Sequence, residues 1–203
     1  MNTRFKFSAL LVAIGFLLAF LPDQKNTGFR LNPSRLNFLA ASDTLSFSAD
    51  QVARFINSED STIRLIDVRD PSEYRECRIP GSVNIPLEKF SDKTLLSFLN
   101  SDKVKNVFYS NGDQFSSVAW TIATGLGYKN TYLMKGGLNE WYDTVMNTHF
   151  SGERISAKEN LIFENRFKAR RLFNEFNSLP DSLKVKLFAS KQAARKKLDG
   201  GCE

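Results

Sequence analysis

Two kinds of hydrophobic spacing alternate along the middle of the chain. Short runs of consecutive apolar residues are typical of strands that are buried on both faces of a sheet, and apolar residues three and four positions apart are typical of helices. We therefore predict strands at 63–68, 82–85, 105–110 and 131–134, and helices after Ser48 and at 71–76, 87–99, 115–126, 138–146 and 157–177. This alternation predicts an α/β fold in which a parallel sheet carries helices on both faces.

Residues that favour helix ends support these boundaries. Ser48 and Gln51 have the spacing of a capping box, in which each side chain pairs with the other residue's backbone N–H. Pro71 suits the first turn of a helix, and Gly127 suits the position just after a helix end. The regular pattern as a whole predicts one domain over residues 48–147.

The N-terminus differs from the domain in its hydrophobic pattern. Residues 7–22 carry no charge and follow Arg4 and Lys6. At ~1.5 Å per residue a helix of this run is about 24 Å long, slightly short of a bilayer core. A signal peptide within residues 1–22 is the alternative, but no small-x-small cleavage triplet follows the run. We expect an uncleaved single-pass anchor in the cytoplasmic membrane, with the domain on the extracytoplasmic, periplasmic side.

Three further segments flank the predicted domain. Residues 23–47 are polar and are predicted to be a linker, whereas 148–178 contain an amphipathic helix that is expected to pack on the domain or on a partner. Residues 179–203 form a basic tail that is expected to be mobile. Of the chain's net charge of +6, most belongs to residues 151–203, which hold 12 Lys and Arg against 7 Asp and Glu.

Composition excludes several functional classes. The chain of 203 residues has two cysteines and one histidine, too few for a disulfide framework or for the usual zinc sites, so we expect no metal. No motif points to a cofactor, and the basic residues of the tail are mixed with acids rather than arranged for nucleic acid. We expect no cofactor and no nucleic-acid partner.

The loop that follows Tyr109 is the candidate site. In parallel α/β sheets ligands bind beyond the carboxyl ends of the strands, and this loop leads into a helix N-terminus, where unpaired N–H groups attract anions. The candidate residues are Ser110, Asn111, Gly112, Asp113, Gln114, Phe115 and Ser116.

Residues 48–147 resemble a single rhodanese domain through several short motifs in order. These are Asp67-Val-Arg69 with Glu73-Tyr74, Ile79-Pro-Gly81, Asn84-Ile-Pro86, Tyr109 before a polar loop, Gly127-Tyr128, and Gly136-Gly137 with Trp141. The whole chain is also similar to bacterial membrane-anchored proteins of this type. The resemblance implies structural roles for Asp67 and Arg69, which would form an ion pair that could include Glu73. It implies turns with unusual dihedrals at Gly81, Gly136 and Gly137, and a core position for Trp141.

The chain departs from the family pattern inside the loop. Active relatives carry a cysteine at the position of Ser110, and Phe115 stands where an arginine is usual. A serine hydroxyl is a far weaker acid than a thiol, whose free pKa is ~8.5, and it cannot hold sulfane sulfur as a persulfide. The only histidine, His149, follows the last domain helix, so the sequence offers no base to activate Ser110.

Asp113 is a second departure. If its carboxylate points into the loop, it repels an anion by ~4 kcal/mol at about 4 Å in an effective dielectric of ~20. A helix N-terminus contributes only ~0.3–1 kcal/mol, up to ~2. If the carboxylate instead caps the helix from outside, the anion cradle survives, and the sequence does not choose between these orientations.

The two cysteines permit further readings. Cys77 precedes the Ile79-Pro-Gly81 turn and is expected to be a small buried residue. Cys202 lies in a terminal Gly-Gly-Cys-Glu sequence, which is similar to the mobile thiol arms of sulfur-carrier proteins. The alternatives for Cys202 are that it is disordered, that it forms a disulfide, for which Cys77 is one possible partner, or that it has no role.

Three functions follow. The leading hypothesis is a membrane-tethered, non-catalytic binding or scaffold module whose loop takes a partner protein or a small ligand, for instance a sulfur species. The second is a persulfide carrier, or a protein related to sulfurtransferases, that uses Cys202. The third is a hydrolase or phosphatase, since the fold resembles that of dual-specificity phosphatases, but those enzymes also need the loop cysteine.

Overall fold

A computed structural model shows a parallel sheet flanked by helices, and it describes residues 4, 10–14, 16, 45–92, 98–149, 156–187 and 190. The strands are β1 (Ser46–Phe47), β2 (Ile63–Asp67), β3 (Val83–Asn84), β4 (Lys105–Tyr109) and β5 (Thr131–Met134). The helices are α1 (Ala49–Asn57), α2 (Pro71–Glu76), α3 (Asp113–Gly125), α4 (Gly137–Trp141) and α5 (Ala157–Asn177). A 3₁₀ helix spans Leu87–Ser91, and a π-helical segment, Tyr142–Met146, continues α4.

The five strands run parallel in the order β1-β5-β4-β2-β3. Ile66 pairs with Phe108, and Asp67 pairs with Tyr109, so β2 and β4 end side by side. This register confirms the predicted α/β fold with a parallel sheet. It also places the residues that follow β2 and β4 at one edge of the sheet, which is where the loop site was predicted.

Apolar side chains cover both faces of the sheet. Trp141 and Phe173 belong to the cluster that packs α1, α4 and α5 on one face. Phe90 and Trp120 belong to the cluster on the other face, where α3 and the 3₁₀ helix pack. Trp141 has no exposed surface, so its predicted core position is confirmed.

The prediction of a linker over residues 23–47 was wrong at its C-terminal end. Ser46 and Phe47 form β1, which pairs with Leu133 and Met134 of β5. The strand leads directly into α1, where Ser48 and Gln51 make the predicted capping box. A two-residue strand has no detectable period in sequence, and only its pairing with β5 defines it.

The amphipathic helix over 157–177 is confirmed and packs on the domain. Ala169 and Phe173 are buried, and the Phe173 ring lies 5.9 Å from that of Trp141. Arg166 adds a bidentate contact with Asp50 of α1, at 2.6 and 2.7 Å. Leu161 remains exposed. The extension is therefore joined to the domain through part of its apolar stripe.

The prediction of a mobile tail at 179–203 was wrong for the first residues of that segment. Residues 181–187 are helical, and Lys184 is buried with its ammonium group 3.4 Å from the carbonyl of Arg75. Asp181 pairs with the buried Arg78 at 3.1 Å, and the Arg78 guanidinium also lies over the rings of Tyr74 and Phe176. This segment thus fastens α5 to the turn that follows α2.

The predicted membrane anchor at 7–22 lies mostly outside the described residues. Within it the structure describes only residues 10–14 and 16, which are helical. Within the described part of the chain, no helix combines the length and the apolar character that a membrane crossing requires.

Candidate functional site

The loop at 110–116 starts where β4 ends, beside the end of β2. The amide of Val68 donates to the carbonyl of Tyr109 at 3.0 Å, which ties the ends of the two strands together. Ser110 follows directly and is only 1% exposed. The strand pairing therefore fixes Ser110 at the floor of the loop.

The turn at the start of α4 holds the loop backbone. The amides of Leu138 and Asn139 donate to the carbonyls of Ser110 and Asn111, both at 2.9 Å. Gly137 lies between these contacts with φ +55°, and a Cβ atom there would clash with the Ser110 carbonyl oxygen. Glycine is needed at 137 both for its backbone conformation and for this close approach.

The first turn of α3 forms one wall of the loop. Gly112 occupies the N-cap position, and no side chain caps the helix. The hydroxyl of Ser116 donates back to the carbonyls of Gly112 and Asp113, at 3.3 and 3.1 Å. The first amides of a helix have no partner within the helix, so this end carries a partial positive charge.

Asp113 directs one carboxylate oxygen away from the start of its own helix. Its Oδ1 accepts a hydrogen bond of 2.7 Å from the amide of Gly136, in the turn between β5 and α4. This contact connects α3 to the neighbouring turn, and the side chain does not cap its own helix, which was one of the two orientations that the sequence left open. Its negative charge still lies at the N-terminal end of α3, where it partly offsets the positive end of the helix.

A buried ion pair supports the loop from the β2 side. Asp67 is fully buried, and its carboxylate lies 2.6 Å from Nη2 of Arg69, which is 6% exposed. Burial would lower the pKa of Arg69, but the hydrogen bonds and charge of Asp67 raise it above its ordinary value. The ion pair expected between these residues is thus present.

Arg69 also connects the ion pair to the loop. Its Nη1 donates to Oδ1 of Asn111 at 3.2 Å, and its Nη2 donates to the carbonyl of Cys77 at 2.6 Å. Glu73 accepts from the side-chain amide of Asn111 at 2.8 Å. The predicted ion pair was one that could include Glu73. The hydrogen bond of Glu73 goes to Asn111, while its charge contributes to raising the pKa of Arg69. A chain of polar contacts therefore runs from the buried pair to the loop.

Two residues of this support were not assigned a role from sequence. Asn84 donates to the carbonyls of Asp67 and Arg69, at 3.0 and 2.9 Å, and so orders the chain after β2. Asn111 bridges Arg69 and Glu73 as described above. Asn84 belongs to a motif that the sequence did single out, but the geometry of its amide depends on the pairing of β2 with β3.

The Ser110 hydroxyl contrasts with its surroundings. Among the described residues, no group makes a hydrogen bond to it, although the carbonyl of the same residue is bonded to Leu138. His149 is exposed, and the neighbouring carbonyl of Thr148 contacts Arg170 of α5. Within the described chain, Ser110 therefore has no base in contact with it.

Comparison with known proteins assigns the family. A profile described as "Rhodanese-like domain" matches residues 48–144. The thiosulfate:glutathione sulfurtransferase of Saccharomyces cerevisiae is 31% identical over 110 residues, which cover 49% of this chain and 79% of that protein. A putative mitochondrial thiosulfate sulfurtransferase of Schizosaccharomyces pombe is 34% identical over 96 residues, 42% of this chain and 68% of that protein. The chain belongs to the rhodanese-like family.

A solved structure is similar to this rhodanese-like chain. A single-domain sulfurtransferase of Saccharomyces cerevisiae is 23% identical, with a TM-score of 0.42, and the match covers 48% of this chain and 88% of that one.

The thiol of Cys77 in the rhodanese-like domain contacts Tyr142. Cys77 is half-buried, and its Sγ lies 3.3 Å from the hydroxyl of Tyr142. Burial raises the pKa of Tyr142 to about 12, and the hydrogen bond with Cys77 contributes to the shift. Cys202 lies outside the described residues. The backbone of Cys77 thus supports Arg69, while its side chain belongs to a different contact.

The remaining predicted residues lie around the site or away from it. Phe115 is 53% exposed on the first turn of α3, and Gln114 is exposed beside it. Gly136 and Gly81 have φ values of +71° and +82°, as expected for turns, but Gly81 precedes β3 at the opposite end of the sheet. The described residues contain no cluster of three or more metal-ligating side chains.

Proposed function

We propose that the chain is a membrane-tethered, non-catalytic rhodanese-like binding module whose loop at 110–116 holds a small sulfur oxyanion or a group of a partner protein. The observation that carries the proposal is the buried Ser110 hydroxyl at the floor of the loop, where the family resemblance implies a thiol in active relatives. Relatives such as the thiosulfate:glutathione sulfurtransferase suggest the class of small ligand, namely thiosulfate.

Sulfur transfer from thiosulfate needs a thiolate in the loop. The thiolate attacks the outer sulfur of thiosulfate, a new S–S bond forms, the old S–S bond breaks, and sulfite leaves with the bonding electron pair. The oxygen of Ser110 is protonated at neutral pH, has no base in contact with it among the described residues, and forms no persulfide. This position therefore cannot carry the reaction.

The architecture around the hydroxyl supports binding. The uncapped N-terminus of α3 offers free amides, and Arg69, Asn111 and Gly137 fix the shape of the loop. The hydrogen bond from Gly136 holds one oxygen of the Asp113 carboxylate at the neighbouring turn, and the proposal requires that this carboxylate leaves the α3 amides accessible. Exposed Phe115 adds an apolar contact next to the loop.

A cyanide-dependent thiosulfate sulfurtransferase assay tests the absence of catalysis. Wild-type protein and Ser110→Ala should both give background turnover, while thiosulfate should perturb the backbone amide resonances of residues 111–116. Robust wild-type turnover that Ser110→Ala abolishes would overturn the proposal. Thiosulfate titration of Gln114→Ala, which removes an exposed side chain and leaves the loop amides in place, is the matched control and should perturb the same resonances.

A second candidate function uses Cys202 as a persulfide carrier. It is supported by the Gly-Gly-Cys sequence near the end of the chain. Incubation with a sulfane donor followed by intact-mass measurement should then add one sulfur atom to the wild type and none to Cys202→Ser. Equal masses for the wild type and the variant would remove this candidate.

Membrane tethering rests on the uncharged run at 7–22 and its positive flank. We expect the full chain to remain in the membrane pellet after alkaline carbonate extraction, and a chain that begins at residue 23 to be released. Release of the full chain by carbonate would contradict an integral anchor.

A further inference from the structure

A second cavity lies at the end of the sheet opposite the loop. It has a volume of about 460 Å³ and is lined by the end of α1, the start of β2, the turn before β3 and the second half of α5. β2 runs from Ile63 in this cavity to Asp67 at the loop, so the strand separates the two sites. The volume is in the range of small-molecule sites, which run from about 300 to 1,000 Å³.

The walls of this amino-end cavity are rich in apolar side chains. Phe55, Phe98 and Phe176 supply aromatic rings, and Ile63, Leu65 and Leu172 supply aliphatic groups. Phe98 is 45% exposed although it lines the cavity. An apolar body that fills such a cavity gains dispersion contacts which the wall atoms otherwise lack.

Arg64 places a positive charge on one wall of the cavity. Its Nη1 donates to the carbonyl of Phe98 at 2.6 Å and to Oδ1 of Asn106 at 3.3 Å, and its guanidinium lies 3.9 Å from the centre of the Phe98 ring. These contacts leave other N–H groups of the guanidinium available. Its burial lowers its pKa, and no nearby carboxylate counteracts that shift.

Three other packed arginines differ from Arg64 in this respect, whereas the half-buried Arg170 resembles it in bonding to backbone carbonyls. Arg69, Arg78 and Arg166 each contact an aspartate, at 2.6, 3.1 and 2.6 Å. Among the described carboxylates, none lies within ion-pair distance of Arg64. A half-buried cation without a counter-ion beside an apolar cavity is complementary to an anion that carries an apolar body.

Two acidic residues, Glu59 and Asp60, also line the cavity. Asp60 accepts hydrogen bonds from the amide and hydroxyl of Thr62, at 2.9 and 2.7 Å. Glu59 is exposed. Asp60 is thus engaged with Thr62, and Arg64 is the positively charged residue among the described residues of the lining.

We propose that the amino-end cavity binds an amphiphilic carboxylate, with its aromatic or aliphatic body among the phenylalanines and its carboxylate on Arg64. This site is separate from the loop and independent of sulfur chemistry. The aromatic walls and the planar guanidinium together select for an aryl-alkyl carboxylate over a small inorganic anion.

Calorimetric titration of the full chain with 4-phenylbutyrate and with its neutral match, 4-phenylbutanamide, tests the proposal. The carboxylate should bind at least about tenfold more tightly than the amide, as expected for charge-assisted hydrogen bonds. Arg64→Met should remove that preference, whereas Arg54→Met, an exposed arginine on α1, should keep it. Leu172→Trp should fill the cavity and abolish binding of both compounds.

The comparison of the two compounds on the wild type stands even if a variant fails to fold. Equal affinity for carboxylate and amide, or no binding of either at millimolar concentration, would overturn the proposal. Displacement of 4-phenylbutyrate by sulfate would also overturn it, because that result would place the compound in the anion cradle of the loop. Equal loss of binding in Arg54→Met and Arg64→Met would show a nonspecific charge effect and likewise contradict it.

Discussion

The outside and the inside of the loop at 110–116 are built very differently. On the outside, Arg69, Leu138 and Asn139 hold the loop by hydrogen bonds, and Asp113 anchors its end to Gly136. On the inside, the Ser110 hydroxyl has no partner among the described residues, and the first turn of α3 is uncapped. The molecule thus maintains the shape of the loop by many contacts, while its centre offers groups for binding and none for sulfur chemistry.

Among the contacts on the outside of the loop, removal of Arg69 should cause the largest loss of stability. Arg69→Met leaves the fully buried Asp67 carboxylate without its partner, and the free energy of unfolding should fall by about 3–5 kcal/mol. Urea denaturation of the variant and of Arg54→Met measures this effect, and the exposed Arg54 should change stability by less than about 0.5 kcal/mol. A similar small loss in both variants would contradict the role given to the buried pair.

A pair of glycine substitutions separates close packing from backbone strain. Gly137→Ala meets the Ser110 carbonyl, in addition to the strain of φ +55°, and should cost at least about 3 kcal/mol. Gly81→Ala has φ +82° but no atom within 4 Å of the added Cβ, so strain alone should cost about 1 kcal/mol. Equal losses in the free energy of unfolding would show that the close approach of Gly137 to the Ser110 carbonyl does not constrain the loop.

The contribution of Asn111 should be smaller. Asn111→Ala removes the link to Arg69 and Glu73 and should reduce the free energy of unfolding by about 1 kcal/mol. Gln114→Ala removes an exposed side chain of the same loop and serves as its control. Faster hydrogen exchange of the loop amides in Asn111→Ala, but not in Gln114→Ala, would show that Asn111 orders the loop. The opposite pattern would argue against it.

The alkaline titration of Tyr142 tests where the Cys77 thiol points. The folded pKa of about 12 exceeds the ordinary value of 10, so the native state keeps a proton that the unfolded chain loses. This contribution to stability is complete below pH 10 and is lost as the pH rises towards about 12. Cys77→Ala should lower the Tyr142 pKa while leaving it above 10, because burial is the larger cause.

Phenolate absorbance, with Tyr142→Phe to assign the signal, measures that shift. An unchanged titration in Cys77→Ala would show that the thiol does not contact Tyr142.

The smallest effect is expected inside the loop. Ser110→Ala removes a hydroxyl that makes no hydrogen bond to the described residues, so the free energy of unfolding should change by less than about 0.5 kcal/mol. Thermal or urea unfolding of the variant beside Ser116→Ala provides the check, because the Ser116 hydroxyl does bond to the backbone. A larger loss in Ser110→Ala would reveal a structural role for this hydroxyl.

The sequence predicted those features that local patterns determine. The capping box at Ser48, the buried strands and the start of the loop after Tyr109 all depend on residues close in sequence, and all are present. The long helix at 157–177 also has a clear period, although its partner on α1, Asp50, is 116 residues from Arg166.

Features that depend on distant contacts were missed or misread. Arg78 was assigned no role from sequence, yet it is buried between two rings and paired with Asp181 across 103 positions. Residues 181–187 have a basic composition that suggested a mobile tail, but the docking of Lys184 and Asp181 orders them. Glu73 has the right charge for Arg69, and only the three-dimensional position of Asn111 shows which partner it takes.

Mass mapping after exposure to thiosulfate tests the central claim most directly. The comparison uses the full chain with Cys202→Ser, with and without the added change Ser110→Cys. We predict that the peptide containing position 110 gains one sulfur atom only in the Ser110→Cys protein, because the loop retains its shape and the new thiol supplies the group that forms a persulfide. Gain of sulfur by the protein that keeps Ser110, mapped to Cys77 and accompanied by sulfite release, would contradict the account.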